Sequence, residues 1–336
     1  MILLAVGTFL FIPAAKTRLY SLFLVGLYIQ GTGLTILQTA ANPYITILGP
    51  KESAARRVSM MGVCNGIASS LSPIILGAVI LKGADSIKDK IGNVSVTKKN
   101  NLLSELASRI ELPYIIMAAA WIAVALLIYF SGLPEIHEEQ QDEVQGVVLQ
   151  NKKSIFQFPH LLIGVITLFL YVGVEVIAGD TIINYGSSQG ISFSTAKYFS
   201  SATQINMLIG YIIGIICIPK FISQEKALKY SAMLGIAFAL IAIATSGYVS
   251  IAFVALMGLA NSLMWPSIWP LALDGLGRFT KIGSSFLIMA IGGGAILPLL
   301  YGRLAGRFTP HEAYWIVVPC YLAVLFYAVK GRKIGK

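Results

Sequence analysis

GTGLTILQTAANPYITILGPKESAARR, residues 31–57, is apolar for most of its length, yet it places Gln38, Thr39, Asn42 and Thr46 inside what reads as a membrane span. Pro43 follows, then the Gly49-Pro50 break, then a loop carrying Lys51, Arg56 and Arg57. Polar amides at bilayer depth are costly and are usually kept for a reason. Gln38 and Asn42 are four residues apart, so on a helix they share one face. That face reads as part of a pore or a substrate lining.

The rest of the chain fits this reading. Hydrophobic residues make up 56% and charged residues only 12% of the 336, and the mean hydropathy is +0.77. Such a composition belongs to polytopic membrane proteins built of α-helices. The net charge of +10 does not point to nucleic acid, because the Lys and Arg residues lie between the apolar stretches. Basic loops on the cytoplasmic face of a membrane protein give the simpler account. Cys64, Cys217 and Cys320 all fall inside predicted spans without paired spacing, so neither disulfides nor a metal site is expected. The start, MILLAVGTFLFIPAA, has no basic segment and no small-residue cleavage site, and is not read as a signal peptide.

Ten spans are predicted, at roughly 1–15, 19–48, 58–81, 113–133, 158–185, 195–219, 227–246, 248–273, 282–303 and 312–330. They divide into a four-span N-terminal bundle over 1–133, a solvated linker over 134–157 and a six-span bundle over 158–336. The linker opens with Glu135, Glu138, Glu139, Asp142 and Glu143 and closes with Lys152-Lys153. A polar loop over 82–112, with a short helix near Leu102–Ile110, forms a surface excursion of the first bundle. With both termini cytoplasmic, 14 of the 25 Lys and Arg residues lie inside, and six of the other 11 sit in that loop beside Asp85, Asp89, Glu105 and Glu111. Both termini are therefore expected inside.

The chain also repeats itself. Pro73-Ile-Ile-Leu-Gly77 and Pro298-Leu-Leu-Tyr-Gly302 are 225 residues apart, and each follows a polar, Pro-broken span and a basic loop. The first set is Asn42-Pro43 with Arg56-Arg57, the second Asn261 and Pro266 with Arg278 and Lys281. Parallel six-span repeats are a transporter architecture. Carrying that offset back from the fifth span puts two further helices, about 67 residues, before Met1, so the chain reads as ten spans of twelve.

Several stretches resemble the fucose/glucose/galactose branch of the major facilitator superfamily sugar symporters. LQTAANPYITILGPKESAARR is similar to that branch's fourth helix, and FLYVGVEVIAGDTIINYG (169–186) to its seventh. GLANSLMWPSIWPLALDGLGRFTKIGSSFLIMAIGGGAILPLLYG (258–302) is similar to its tenth and eleventh, and AYWIVVPCYLAVLFYAVKG to its last. The resemblance covers nearly all of the chain. It implies the major facilitator fold and cation-coupled transport of a hexose or amino sugar across a bacterial inner membrane. It also implies that the family's first two helices precede this sequence. The fucose-transporting members carry a fourth-helix glutamate implicated in proton coupling where this chain has Gln38. An amide does not titrate in the physiological range, so Gln38 would instead hydrogen-bond the sugar.

Two acids lie in the span resembling the seventh helix, Glu175 and Asp180. A charged carboxylate at that depth usually faces a wet cavity or binds a cation, and one of these acids is the candidate for coupling to Na+ or H+. Five residues apart they do not share a helix face, whereas Asp180 and Asn184, at i and i+4, do. Sugars are held by amides bonding their hydroxyls and by aromatic rings covering their C–H faces. The candidate amides are Gln38, Asn42, Asn65, Asn184, Gln204, Asn206 and Asn261, of which at most one of Gln204 and Asn206 would face the cavity. The candidate rings are Tyr171, Tyr185, Trp265 and Trp269, with core packing or the membrane-interface belt the expected role of at least one tryptophan. The six chosen for substrate are Gln38, Asn42, Asn65, Asn184, Asn261 and Trp265; Tyr314 and Trp315 read as interface anchors. Gly292-Gly293-Gly294, Gly210-x3-Gly214 and Gly62-x3-Gly66 would let helices approach closely.

No phosphate loop, ligand cluster or activated nucleophile stands out, and His137, His160 and His311 are not spaced as ligands, so an enzyme and a cofactor are not expected. The expected partners are a sugar, a cation and the bilayer, with the chain a monomer. The competing reading is a transport-inactive fragment or a carrier-derived sensor.

Overall fold

The computed structural model describes residues 1–80, 96–132, 154–191 and 193–335. Its helices are α1 (Ile2–Thr17), α2 (Tyr20–Ile47), α3 (Ala54–Ile80), α4 (Val96–Phe130), α5 (Pro159–Asp180), α6 (Ile182–Ser188), α7 (Phe193–Cys217) and α8 (Gln224–Ala244). They continue with α9 (Gly247–Asn261), α10 (Met264–Leu273), α11 (Thr280–Met289), α12 (Gly293–Arg307), α13 (Pro310–Ala313) and α14 (Val317–Val329). No strand occurs among the described residues.

Eight segments among the described residues are helical, long and apolar enough to cross a bilayer: Tyr20–Thr46, Ser108–Phe130, Pro159–Asp180, Tyr198–Cys217, Gln224–Ala244, Gly247–Leu273, Gly277–Arg307 and Pro310–Lys333. α1 is apolar but shorter. Large apolar side chains lie open on these helices, among them Tyr129 at 81%, Phe130 at 77% and Leu299 at 69% exposure. Such a surface is costly in water and unremarkable against lipid.

The chain divides into two compact units, Met1–Ala40 with Ala68–Glu135, and Ala41–Ile67 with Ile136–Lys336. In the first, α1 packs along α4. Phe11 stacks on Tyr114, with ring centroids 4.8 Å apart, and Lys16 pairs with Glu111 at 3.1 Å. Gln30 Nε2 donates to Thr8 Oγ1 at 2.6 Å, between α2 and α1.

The second unit has the larger core, and α5 is its axis. α10, α12 and α14 pack directly on α5, while α9 packs between α7 and α8. Its largest fully buried side chains include Trp269, Tyr171, Tyr185, Tyr314, Tyr321 and Tyr327. Glycines set the closest approaches, as the small-residue runs predict. A Cβ on Gly293 would run into the backbone of Phe169, one on Gly173 into Leu297, and one on Gly294 would meet Val172 and Val176 at 3.1 Å.

The structure corrects three expectations. Residues 96–112, read as part of a surface loop with a short helix, belong to one 35-residue helix running to Phe130. Nothing between 96 and 112 breaks the helix, and Pro113 removes a single backbone donor. Asp180 and Asn184 do not share one continuous helix, because α5 ends at Asp180 and α6 restarts at Ile182. Tyr314 is fully buried rather than an interface anchor, whereas Trp315 is 54% exposed. Residues 82–95 of the expected loop and 134–153 of the expected linker lie outside the described residues.

Candidate functional site: an acid within a membrane-length helix

α5 starts with Pro159 in its first turn, where a missing N–H costs nothing. Glu175 lies five residues before its end and is partly buried. Tyr171, one turn earlier and therefore on the same face, is fully buried. Tyr211 of α7 and Tyr321 of α14 are near enough to feel the charge of Glu175. Asp180 acts on the same carboxylate from its own chain segment.

Tyr211 and Tyr321 are both held in place by their neighbours. The Tyr321 hydroxyl donates to Asn261 Oδ1 at 2.8 Å, tying α14 to the end of α9. The Tyr321 ring fills the space over Gly235, where a Cβ would come within 2.6 Å of it. Tyr211 is seated in the same manner over Gly62 of α3, again at 2.6 Å. The carboxylate of Glu175 is carried on a helix that is otherwise almost wholly apolar. A charge so placed exchanges with a cation or with its own proton at much lower cost than it is bare.

Above Glu175 the chain changes direction at Thr181, whose Oγ1 bonds back to Ile177 O at 2.7 Å and lies 3.2 Å from Tyr314 Oη. Tyr185, Tyr301 and Tyr314 close that end, with the Tyr185–Tyr314 centroids 4.5 Å apart. His311 Nε2 lies 2.9 Å from Thr245 O.

At the opposite end of α5, His160 Nε2 lies 2.9 Å from Asp274 O. Lys51 forms an ion pair with the Asp274 carboxylate, and Arg332 approaches Glu225 at 3.6 Å. A cavity of about 470 Å³ opens there, lined by Lys51, Glu52, Gln224, Glu225, Asp274 and Arg332. The turn that presents Lys51 is held by Arg57. Its guanidinium donates to Ile45 O, Pro50 O, Thr46 O and Ser53 Oγ at 2.6–2.9 Å, closing the C-terminus of α2. Gly49 has φ of 130°, a conformation that L side chains rarely adopt, and the Arg57 guanidinium lies over it.

The residues singled out from sequence are distributed as follows. Asn261 accepts the Tyr321 hydroxyl, while Glu175 stands on α5 without being brought to any other residue of the set by a hydrogen bond the structure describes. Asn261 is 1% exposed and Asn42 is 5% exposed. Gln38 is partly buried on α2; Asn65 on α3, Asn184 on α6 and Asp180 at the end of α5 are exposed. Trp265 is partly buried and stacks on the fully buried Trp269, with centroids 5.4 Å apart. Asn206 donates to Ala255 O at 3.1 Å, an interhelical bond. Tyr171 and Tyr185, named as rings for a sugar, are fully buried. Sequence reasoning passed over Tyr211 and Tyr321; the signal for both was a phenol in an otherwise apolar span.

Membrane-length helices in close glycine contact define a polytopic membrane protein. The chain belongs to the Major Facilitator Superfamily, whose family model matches residues 1–296. It is 36% identical over 338 residues to a glucose/galactose transporter of Brucella abortus, covering 99% of this chain and 77% of that protein. To the L-fucose-proton symporter of Escherichia coli it is 30% identical over 335 residues, covering 98% and 76%. The crystal structure of the transporter FucP in the outward conformation superposes with a TM-score of 0.84 at 28% identity, over 97% of this chain and 80% of that one.

Proposed function

We propose that this protein carries a hexose or amino sugar across the bacterial inner membrane together with a cation, H+ or Na+, by alternating access. The observation that carries the reading is Glu175, a partly buried acid within a helix long and apolar enough to cross a membrane. An acid in that position has to be neutralised to move through apolar surroundings, and a bound cation or proton does so. The names of the relatives, a glucose/galactose transporter and an L-fucose-proton symporter, support sugar as cargo and a cation as partner. Gln38, Asn42, Asn65, Asn184 and Asn261 supply amides for sugar hydroxyls, and Trp265 a ring for the C–H face. Glu175 and Asp180 serve the cation. The working organisation is an N-terminal bundle over 1–133, a cytoplasmic linker over 134–157 and a C-terminal bundle over 158–336, with both termini cytoplasmic and the chain monomeric.

The test is uptake by the purified chain in liposomes, with a panel of radiolabelled hexoses and amino sugars under separately imposed pH and Na+ gradients. Accumulation driven by one gradient identifies the cation, and the panel identifies the sugar. Absence of both gradient-driven uptake and counterflow for every sugar overturns the reading and leaves a transport-inactive protein or a sensor.

A further inference from the structure

Four stretches of the described chain converge on the cavity of about 470 Å³ beside Asp274. They are the turn Lys51-Glu52, the run from Pro219 to Glu225 at the start of α8, the end of α10 with Leu271 and Asp274, and Arg332 beyond α14. Its volume lies within the range of small-molecule sites, about 300–1,000 Å³. Each wall is fixed from outside the cavity. Arg57 holds the turn through Ile45 O and Pro50 O, Ser223 Oγ accepts the Lys226 N–H at 3.4 Å and so caps α8, and Arg332 Nε donates to Ala328 O at 3.0 Å. The His160 ring, 2.9 Å from Asp274 O, steadies the end of α10. Walls held in this way keep their shape before a ligand arrives, which lowers the cost of binding one.

The lining is polar on most sides, and its charges nearly cancel. Lys51 pairs with Asp274 and Arg332 approaches Glu225 at 3.6 Å, while Glu52 adds a third carboxylate. Gln224 is only 7% exposed, and its Oε1 accepts no hydrogen bond among the described residues. A buried acceptor without a donor is costly, and a hydroxyl brought to it supplies one. The excess of carboxylates works against a phosphate or any other anion. Among the described residues no three metal-ligating side chains gather closely enough to hold an ion, so the acids are not a metal cluster. The lining suits a ligand with many hydroxyls, each able to donate to a carboxylate or to Gln224 Oε1 and to accept from Lys51 or Arg332. Pro219 and Leu271 offer apolar surface to its C–H face.

We propose that this cavity is a second sugar site, which takes a neutral hexose or a hexosamine through Gln224, Glu225, Asp274 and Arg332. None of the residues assigned above to the transported sugar lines it. The inference rests on the functional reading for the kind of ligand. In the orientation given there, the cavity lies on the cytoplasmic side, where released sugar meets it. A sugar held there ties the α2–α3 turn to α8 and α10, so sugar accumulating on that side stiffens this end of the protein.

The experiment uses Glu52→Cys in protein carrying Cys64→Ala and Cys217→Ala, and follows the rate at which a water-soluble maleimide labels position 52. D-Glucose and D-glucosamine are each expected to slow labelling by about threefold or more once free sugar exceeds about twice its dissociation constant. D-Glucose 6-phosphate is expected to leave the rate unchanged. Adding Gln224→Leu is expected to remove the protection. Gln224→Glu keeps an acceptor in place and is expected to retain protection by D-glucosamine, which separates loss of the site from loss of the fold. Gln38→Ala, in the assigned transport site, is expected to leave protection as it was. No protection by either sugar, equal protection by the phosphate, protection that survives Gln224→Leu, or protection lost with Gln38→Ala overturns the proposal. Sugar uptake by the parent protein in liposomes is measured alongside. Uptake without protection overturns this site alone; protection without uptake supports the site and removes the transport reading; neither overturns both.

Discussion

Lys51, on the turn between α2 and α3, is ion-paired with Asp274, the residue that closes α10. The lysine side chain is 45% exposed and the aspartate 21%, so the pair is partly solvated and contributes about 1 kcal/mol or less. Lys51→Ala is therefore expected to lower the melting temperature in detergent by a few degrees at most. Lys51→Glu would crowd a further carboxylate against Glu52, Glu225 and Asp274 around the same cavity, and should cost more. Restoring stability by combining Lys51→Glu with Asp274→Lys would show that the two side chains meet in solution; additive losses would show that they do not.

Arg57 gathers the C-terminal carbonyls of α2 with a single guanidinium. Partial burial lowers its pKa, but from so high a starting value that the group stays charged. Arg57→Ala strands several acceptors and is expected to cost about 2 kcal/mol. Arg57→Lys keeps the charge yet loses the planar fork, and should recover less than half of that loss. Thermal melts of the three proteins measure both steps.

Gly293 lies against the backbone of Phe169, which has no side chain to swing aside. Gly293→Ala is expected to separate α12 from α5 and reduce folded yield severely, beyond the usual overpacking cost of about 1–3 kcal/mol. Gly292→Ala, one residue earlier, has nothing within 4 Å of its new Cβ and should behave as wild type. Monodisperse yield on size exclusion separates the two.

Tyr321→Phe removes the donor to the buried Asn261 Oδ1 and leaves that acceptor unpaired. The expected loss is about 1–3 kcal/mol in stability. Replacing both partners, Tyr321→Phe with Asn261→Leu, should recover part of it, because no polar group is then left stranded. Equal losses for the single and double variants would count against the hydrogen bond as the cause.

Glu175→Gln cannot gain or release a proton and carries no charge for a metal cation. It is expected to abolish accumulation driven by the coupling gradient while sparing sugar counterflow. Asp180→Asn, at the exposed end of α5, is expected to have the smaller effect. The comparison is made with both assays on each variant in the same liposomes.

Much of this fold was written in composition. Long apolar runs broken by basic turns locate α2, α5, α7, α8, α9, α12 and α14 because a helix crossing a bilayer leaves little choice of residue. The close contacts at Gly62, Gly173 and Gly293 were legible only in part: the runs showed that helices could approach, not which neighbour would fill the space. The failures share a cause. Reading Asp180 and Asn184 onto one face assumed a regular helix through Thr181, whose hydroxyl bonds back to Ile177 O where α5 ends. Reading 96–112 as loop weighed its charges over its lack of any breaker. Around Glu175, the acid was visible as an expensive residue in a cheap context. Tyr211 and Tyr321 were not, since one lies 36 and the other 146 residues further along the chain, and only packing brings them to it.

The ring of Tyr211 lodged over Gly62 also limits how α3 can travel. A peg seated in a hole resists being drawn lengthwise along the groove, since the contacts of Ser59 with Gly214 and of Gly66 with Leu208, between the same two helices, would fall out of step with it. It resists tilting far less, because a tilt parts one end of this contact while the other stays engaged. Motion at this boundary should accordingly resemble a door on its hinge more than a drawer on its runners.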